Sequence, residues 1–258
     1  MNHRRYHTTH LGFTMLELAL ILILLGSALI VVMHYRPTIL GQQSAVAEGY
    51  QDQITAAIFR YALRHYRLPC ADTNGNGLEG DSSGACGSNG NNMVGGVPFV
   101  TLNMTDSTSL SDDVKQSYIY GVFRGTTTAT DLATLAERTG DSLGDGQYLS
   151  LNDLRFALRA LADQHLDASR IHVTGDGRQA GNTDCNTNPI SNLAFFVTYS
   201  GPLDADQNGN PFDGVHNQLA WPSGGALCVS GPGTPNSEQY DDSVIAVGFA
   251  ELLGYLTQ

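Results

Sequence analysis

Lysine is nearly missing from this 258-residue sequence: Lys115 stands alone, and 13 Lys and Arg face 25 Asp and Glu, a formal net charge of −12. That balance excludes general binding to nucleic-acid phosphates, which needs clustered cations. It suits a surface that recruits cations. No Cys-x-x-C pair occurs among the four cysteines, Cys70, Cys86, Cys185 and Cys228, so a structural zinc site or a thioredoxin-like motif is excluded. No internal repeat is visible. The histidines lack the paired spacing of a transition-metal site.

What is present begins with an apolar run from Phe13 to Met33. About 20 apolar residues suffice for a helix to cross a bilayer. A single carboxylate, Glu17, sits near its start, where a charge is costly in hydrocarbon unless paired. Residues 1–12 are basic, with Arg4 and Arg5, and end in Gly12. An ordinary secretory signal would end in a small-residue site after the run, and Gly26, Ser27 and Ala28 imitate one from inside it. A plain single-pass anchor with a stray Glu is the other alternative.

The Gly12-Phe-Thr-Met-Leu-Glu17 stretch behind a basic leader resembles the class III signal of type IV prepilins and of the related secretion pseudopilins. The resemblance implies cleavage between Gly12 and Phe13 by a prepilin peptidase and methylation of the new amino terminus at Phe13. It implies that Glu17 pairs with the Phe13 amine of a neighbouring subunit and so sets axial register. It implies other subunits, the peptidase and an inner-membrane assembly platform as partners. It places the precursor in the inner membrane as a single-pass protein with a periplasmic globular domain. A second likeness is weaker. Leu68-Pro-Cys-Ala-Asp72 is similar to the Leu-Pro-Cys-Pro-Asp of some pilin-like stem exits, with Ala71 at the second proline.

Past the run, Ala47, Tyr50, Ile54, Ile58, Tyr61 and Leu68 recur at helical spacing. Pro37 bends rather than ends the helix, and Pro69 stops it. The fold class expected is therefore α+β. A long N-terminal stem helix over 13–69, transmembrane over about 13–34, leads into a globular domain over 70–258 with an antiparallel sheet and inserted helices. Arg60, Arg64 and Arg67 near the stem's end read as salt-bridging residues.

The Gly, Ser and Asn-rich stretch to Gly96 reads as a long disulfide-tied loop. Strands are expected near 97–102, 117–123, 170–174, 193–200, Cys228 and 241–248. Helices are expected over 131–138 and 150–164, the latter capped by Ser150 or Asn152. Residues 249–256 form a short helix or stay irregular. An even cysteine count outside the cytoplasm points to disulfides. Three pairings are open, and the local one, Cys70–Cys86 with Cys185–Cys228, is favoured.

Two stretches follow D-x-[DN]-x-[DN]-G, the pattern of a calcium loop. They are Asp72, Asn74 and Asn76, and Asp204, Asp206 and Asn208. The twelfth position, normally glutamate, is Ser83 in one and Val215 in the other. Asp81 and Asp213 are the substitute ligands. The second loop carries more charge and is the stronger candidate, with calcium as the candidate cofactor. The competing reading is an Asx-type turn without metal. Calcium in the globular domain of several pseudopilins is consistent with the first reading.

Gly140-Asp-Ser142-Leu-Gly144 matches a hydrolase elbow, and Asp213-Gly-Val-His216 offers a D-x-x-H partner. The elbow requires a preceding strand, whereas a helix is expected there, so the chain is not read as an enzyme. The function expected is a structural filament subunit, pilus or pseudopilus. The alternative is a filament-displayed adhesin or ligand-binding subunit that depends on calcium.

Overall fold

The computed structural model describes residues 15–104, 111–140, 149–175, 185 and 187–258, with side chains of 31–48 and 112–113 set aside. It divides into two units, 1–45 and 46–258. Helix α1 runs Met15–His65. Its described side chains from Met15 to Ile30 are all exposed.

The expected long stem with a transmembrane half over 13–34 is corrected. Among the described residues, no helix is long and apolar enough to cross a membrane. Nor does the rear of α1 stand clear as a stem. Residues from Val46 onward belong to the second unit, and Ile54, Ala57, Ile58, Tyr61 and Ala62 are buried in its core.

That unit is α+β. A four-stranded antiparallel sheet runs β1 (Val94–Gly96), β2 (Tyr118–Val122), β5 (Phe195–Tyr199) and β7 (Ser243–Val247), in the order β1-β2-β5-β7. β2 is buried throughout and β5 nearly so, which explains their unbroken runs of aromatic and β-branched residues. The rear of α1 lies against this sheet. Gln51 fixes the contact: its amide donates to Val197 O (2.6 Å) and Ser243 O (3.2 Å), and accepts from Ser243 Oγ (2.8 Å). Phe59 meets Phe195 edge-on and stacks on Tyr255. Gly121 pairs with Phe196 across β2 and β5, and the Phe196 ring fills the space a Cβ would take, 2.1 Å away.

A smaller sheet, in the order β4-β3-β6, joins β3 (His172–Thr174) antiparallel to β4 (Pro189–Asn192) and parallel to β6 (Cys228–Ser230). α2 (Asp112–Gln116) precedes β2. α3 (Leu151–Ala162) and α4 (Phe249–Leu256) pack together, and Arg155 Nε donates to Leu256 O (3.0 Å). Both disulfides follow the favoured local pairing, Cys70–Cys86 and Cys185–Cys228.

Glu79 anchors the exit of α1. Arg67 donates to both its oxygens at 2.7 Å, Tyr61 Oη donates at 2.9 Å, and the Cys70 N–H at 3.0 Å. Burial alone would raise the Glu79 carboxyl, but these donors outweigh it and hold it below the usual carboxylate value. A depressed folded value stabilises the fold above the unfolded carboxyl pKa and loses that contribution as pH falls through the folded one. Wild type should therefore melt above Glu79→Gln near neutrality, with the gap closing below about pH 4. Thermal melts of both proteins across pH check this, and parallel profiles would refute it.

Candidate metal centre

The second Asp/Asn/Gly loop closes on itself through Asx turns. Asp204 Oδ1 accepts from the Asn208 N–H (3.1 Å) and Oδ2 from the Gly209 N–H (2.8 Å). Asp206 Oδ2 accepts from the Asn208 and Asn217 amides, at 3.1 and 2.7 Å. Asn208 Oδ1 accepts from the Asn210 N–H (2.7 Å).

Asp213 ties this loop to the rest of the unit. It caps no helix through its side chain, although the 3-10 turn Gly214–Gln218 begins after it. Its Oδ1 accepts from the Ala205 and Asp206 N–H groups (3.0 and 3.2 Å), and its Oδ2 from the Asp241 N–H (2.9 Å). It therefore belongs to two groups. In one, oxygens of Asp204, Asp206 and Asp213 lie within 4.8 Å of one another, and in the other, those of Asp213, Asp241 and Asp242 do.

The inner group is the more unusual. Asp213 is fully buried and Asp242 is 2% exposed. Asp242 Oδ2 accepts from the Asp213 N–H (2.9 Å) and from His216 Nδ1 (2.7 Å). The other ring nitrogen, Nε2, accepts from the Ser230 N–H (3.0 Å). An accepting Nε2 carries no proton, so the ring's one proton lies on Nδ1 and His216 is a neutral donor. Burial, then the hydrogen bond and charge of Asp213, then the charge of Asp242, push Asp241 up to about 7. Burial likewise raises Asp242 against the lowering pull of His216. Oδ1 of Asp241 and Oδ1 of Asp242 are buried with no hydrogen-bond partner.

No family model, characterised protein or solved structure matches this chain. The site must be read from its own geometry.

Of the expected ligands, Asp204, Asp206 and Asp213 converge, with Asn208 bonded to Asp206. The first loop is a turn. Asp72 accepts from the Asn74, Gly75 and Gly77 N–H groups, Asn74 from the Asn76 N–H, and Asn76 from the Leu78 N–H. Asp81 accepts from Ser83 and Ala85. These residues form no carboxylate cluster among the described ones. Gly12 and Phe13 lie outside the described residues, and Glu17 is in the first turn of α1.

The hydrolase match does not assemble as its spacing suggested. Ser142 lies outside the described residues. His216 pairs with Asp242 rather than Asp213, and a backbone N–H occupies Nε2, the atom a nucleophile would need. Asp241, Asp242 and His216 were not singled out as ligands by sequence reasoning. Consecutive aspartates before a strand were visible, but their partner lies 28 residues earlier.

Proposed function

We propose that the chain is a structural subunit of a type IV pilus or secretion pseudopilus, cut between Gly12 and Phe13 by a prepilin peptidase. The observation that carries this is the Gly12-Phe13 junction with Glu17 at the head of an apolar helix. Exposed Leu16, Leu18, Leu20, Leu22 and Leu24 on that helix support it. So much contiguous apolar surface calls for cover, and neighbouring copies in a filament supply it. Glu17 then pairs with the Phe13 amine of the adjacent subunit. The two disulfides fit an oxidising compartment, which supports a reading with the globular unit in the periplasm and the assembled filament there or outside the cell. Partners are other subunits through α1, the peptidase and an assembly platform in the inner membrane.

Mass spectrometry of the mature protein should find an amino terminus at a methylated Phe13. A chain starting at Met1, or beyond Ala28, would overturn the reading.

In a second reading the subunit is displayed on the filament as an adhesin or ligand-binding module that requires calcium. The convergence of carboxylates on Asp213 beside the 204–210 loop favours it. Calcium-dependent binding of the protein to cells or glycans, with filaments still forming in its absence, would support it over a purely structural role.

A further inference from the structure

We propose that the cleft between the last turns of α1 and the turns at 99–103 binds a phosphate monoester of about monosaccharide size. The cleft lies wholly within the 46–258 unit, and this inference does not depend on the filament reading.

Charge marks the place. No acid stands between Asp52 and Asp72, yet Arg60, Arg64, His65 and Arg67 all fall there, in a chain with 25 Asp and Glu against 13 Lys and Arg. Only Arg67 meets the expectation of salt bridging. Its partner Glu79 has no capacity left, since its two oxygens accept from Arg67, Tyr61 and the Cys70 N–H. Among the described residues, Arg60 and Arg64 take part in no ion pair. They stand four apart on the helix, where like charges repel. The helix dipole favours a cation only within the last turn, which holds Arg64 and His65 but not Arg60.

The helix gathers these cations on one wall. Ala57, Arg60, Tyr61, Arg64 and His65 share one face of α1 by their spacing, and they line a cleft of about 310 Å³. Thr101 and Asn103 line its other side. That side is held by backbone bonds, from the Val100 N–H to Gly77 O (2.8 Å) and from the Leu102 N–H to Pro98 O (3.0 Å). Asn103 takes the left-handed conformation, φ 53°, which asparagine tolerates. His65 stacks on the Tyr61 ring with centroids 4.2 Å apart. The volume is at the lower end for ligand pockets, which suits one sugar-sized molecule.

The donor set selects the anion. A carboxylate has two oxygens, and one guanidinium serves both. Two guanidiniums, the Asn103 amide and the imidazole exceed that demand. A phosphate monoester offers three oxygens and a charge of about −1.5 to −2 at neutral pH, which matches two arginines. Burial, then the charges of Arg67 and Arg64, hold His65 below the usual imidazole value against the pull of Glu79. Thr101 and Asn103 add no charge from the facing side. A dianion in the cleft therefore favours protonated His65.

Calorimetric titration of the purified full-length chain with glucose 6-phosphate should give a Kd below about 1 mM, with glucose inert. Arg60→Gln and Arg64→Gln should each weaken binding about tenfold or more. Arg159→Gln, exposed on α3, should leave it unchanged. By NMR the His65 imidazole should titrate at higher pH when the site is saturated. A soluble short-chain phosphatidic acid, tested in parallel, separates a lipid headgroup from a soluble ester as the source. Arginine-dependent binding of either probe supports the site. Binding of neither would overturn the proposal. So would equal binding of glucose, equal loss in all three variants, wild-type affinity in the Arg60→Gln, Arg64→Gln double variant, or a His65 titration unmoved by the probe.

Discussion

Arg124→Met should lower the unfolding free energy by about 3–5 kcal/mol, the range for breaking a buried ion pair on one side. Arg124 and Asp131 are both fully buried. Arg124 Nε donates to both Asp131 oxygens at 2.8 Å. The variant leaves a carboxylate in the interior with no counter-charge. It also strips the Cys86 and Asn91 carbonyls of the Nη1 donor that reaches them at 2.7 and 3.1 Å. These carbonyls separate Arg124 from an ordinary buried pair. A buried pair replaced on both sides by apolar residues is often neutral or better. Here Arg124→Met with Asp131→Leu should stay below wild type, because each unpaired carbonyl costs about 1–3 kcal/mol. Urea unfolding of the single and double variants under non-reducing conditions gives the cycle. An Arg124→Met protein within about 1 kcal/mol of wild type would contradict a bridging role for this guanidinium.

The same guanidinium shows where sequence reasoning stopped. Residues 131–138 carry a helical pattern, yet they form no helix. Asp131 turns inward to Arg124, and Arg138 folds back so that its side chain donates to the carbonyls of Thr128, Asp131 and Thr134. Those carbonyls serve a side chain instead of a helical ladder, and no local pattern announces that. The expected strand at 97–102 is a series of turns, and β1 lies just before it at Val94–Gly96. Two glycines leave such a strand no side-chain alternation to read. What periodicity could reveal, it did. The leucines of α3 sit at helical spacing behind a Ser150–Asp153 capping box, and β2, β5 and β7 fall within their expected ranges. The apolar run was legible as a helix, but its expected membrane half was an overreach of composition. The candidate site divides in the same way. Its rim, Asp204 to Asp213, is local and patterned. Its inner carboxylates, Asp241 and Asp242, reach it only through the fold.

Replacing Cys185 and Cys228 together by serine should cost about 4 kcal/mol, and replacing Cys70 and Cys86 about 3 kcal/mol, on the chain-entropy model. The difference follows from loop size, since the bridges close separations of 43 and 16 residues. Structure adds to the first figure more than to the second. Cys228 lies opposite His172 in the parallel pairing of β3 with β6, a contact between distant chain segments with few ladder bonds to hold it. The His172 ring lies between two carbonyls, Cys185 O at 2.7 Å from Nε2 and Arg170 O at 2.8 Å from Nδ1, so the bridge also fixes one of the two partners of a buried imidazole. Loss of the bridge frees both ends of the small sheet in the unfolded chain and loosens that partner in the folded one. Cys86 likewise presents its carbonyl to Arg124, which Asn91 shares, so these two contacts are alike and the difference rests on loop size and on the parallel pairing of β3 with β6. Urea unfolding of the two double-serine proteins should therefore rank the 185–228 variant lower, by about 1 kcal/mol or more. The opposite order would mean that the disulfide at the end of α1, not the one across the small sheet, holds this unit together.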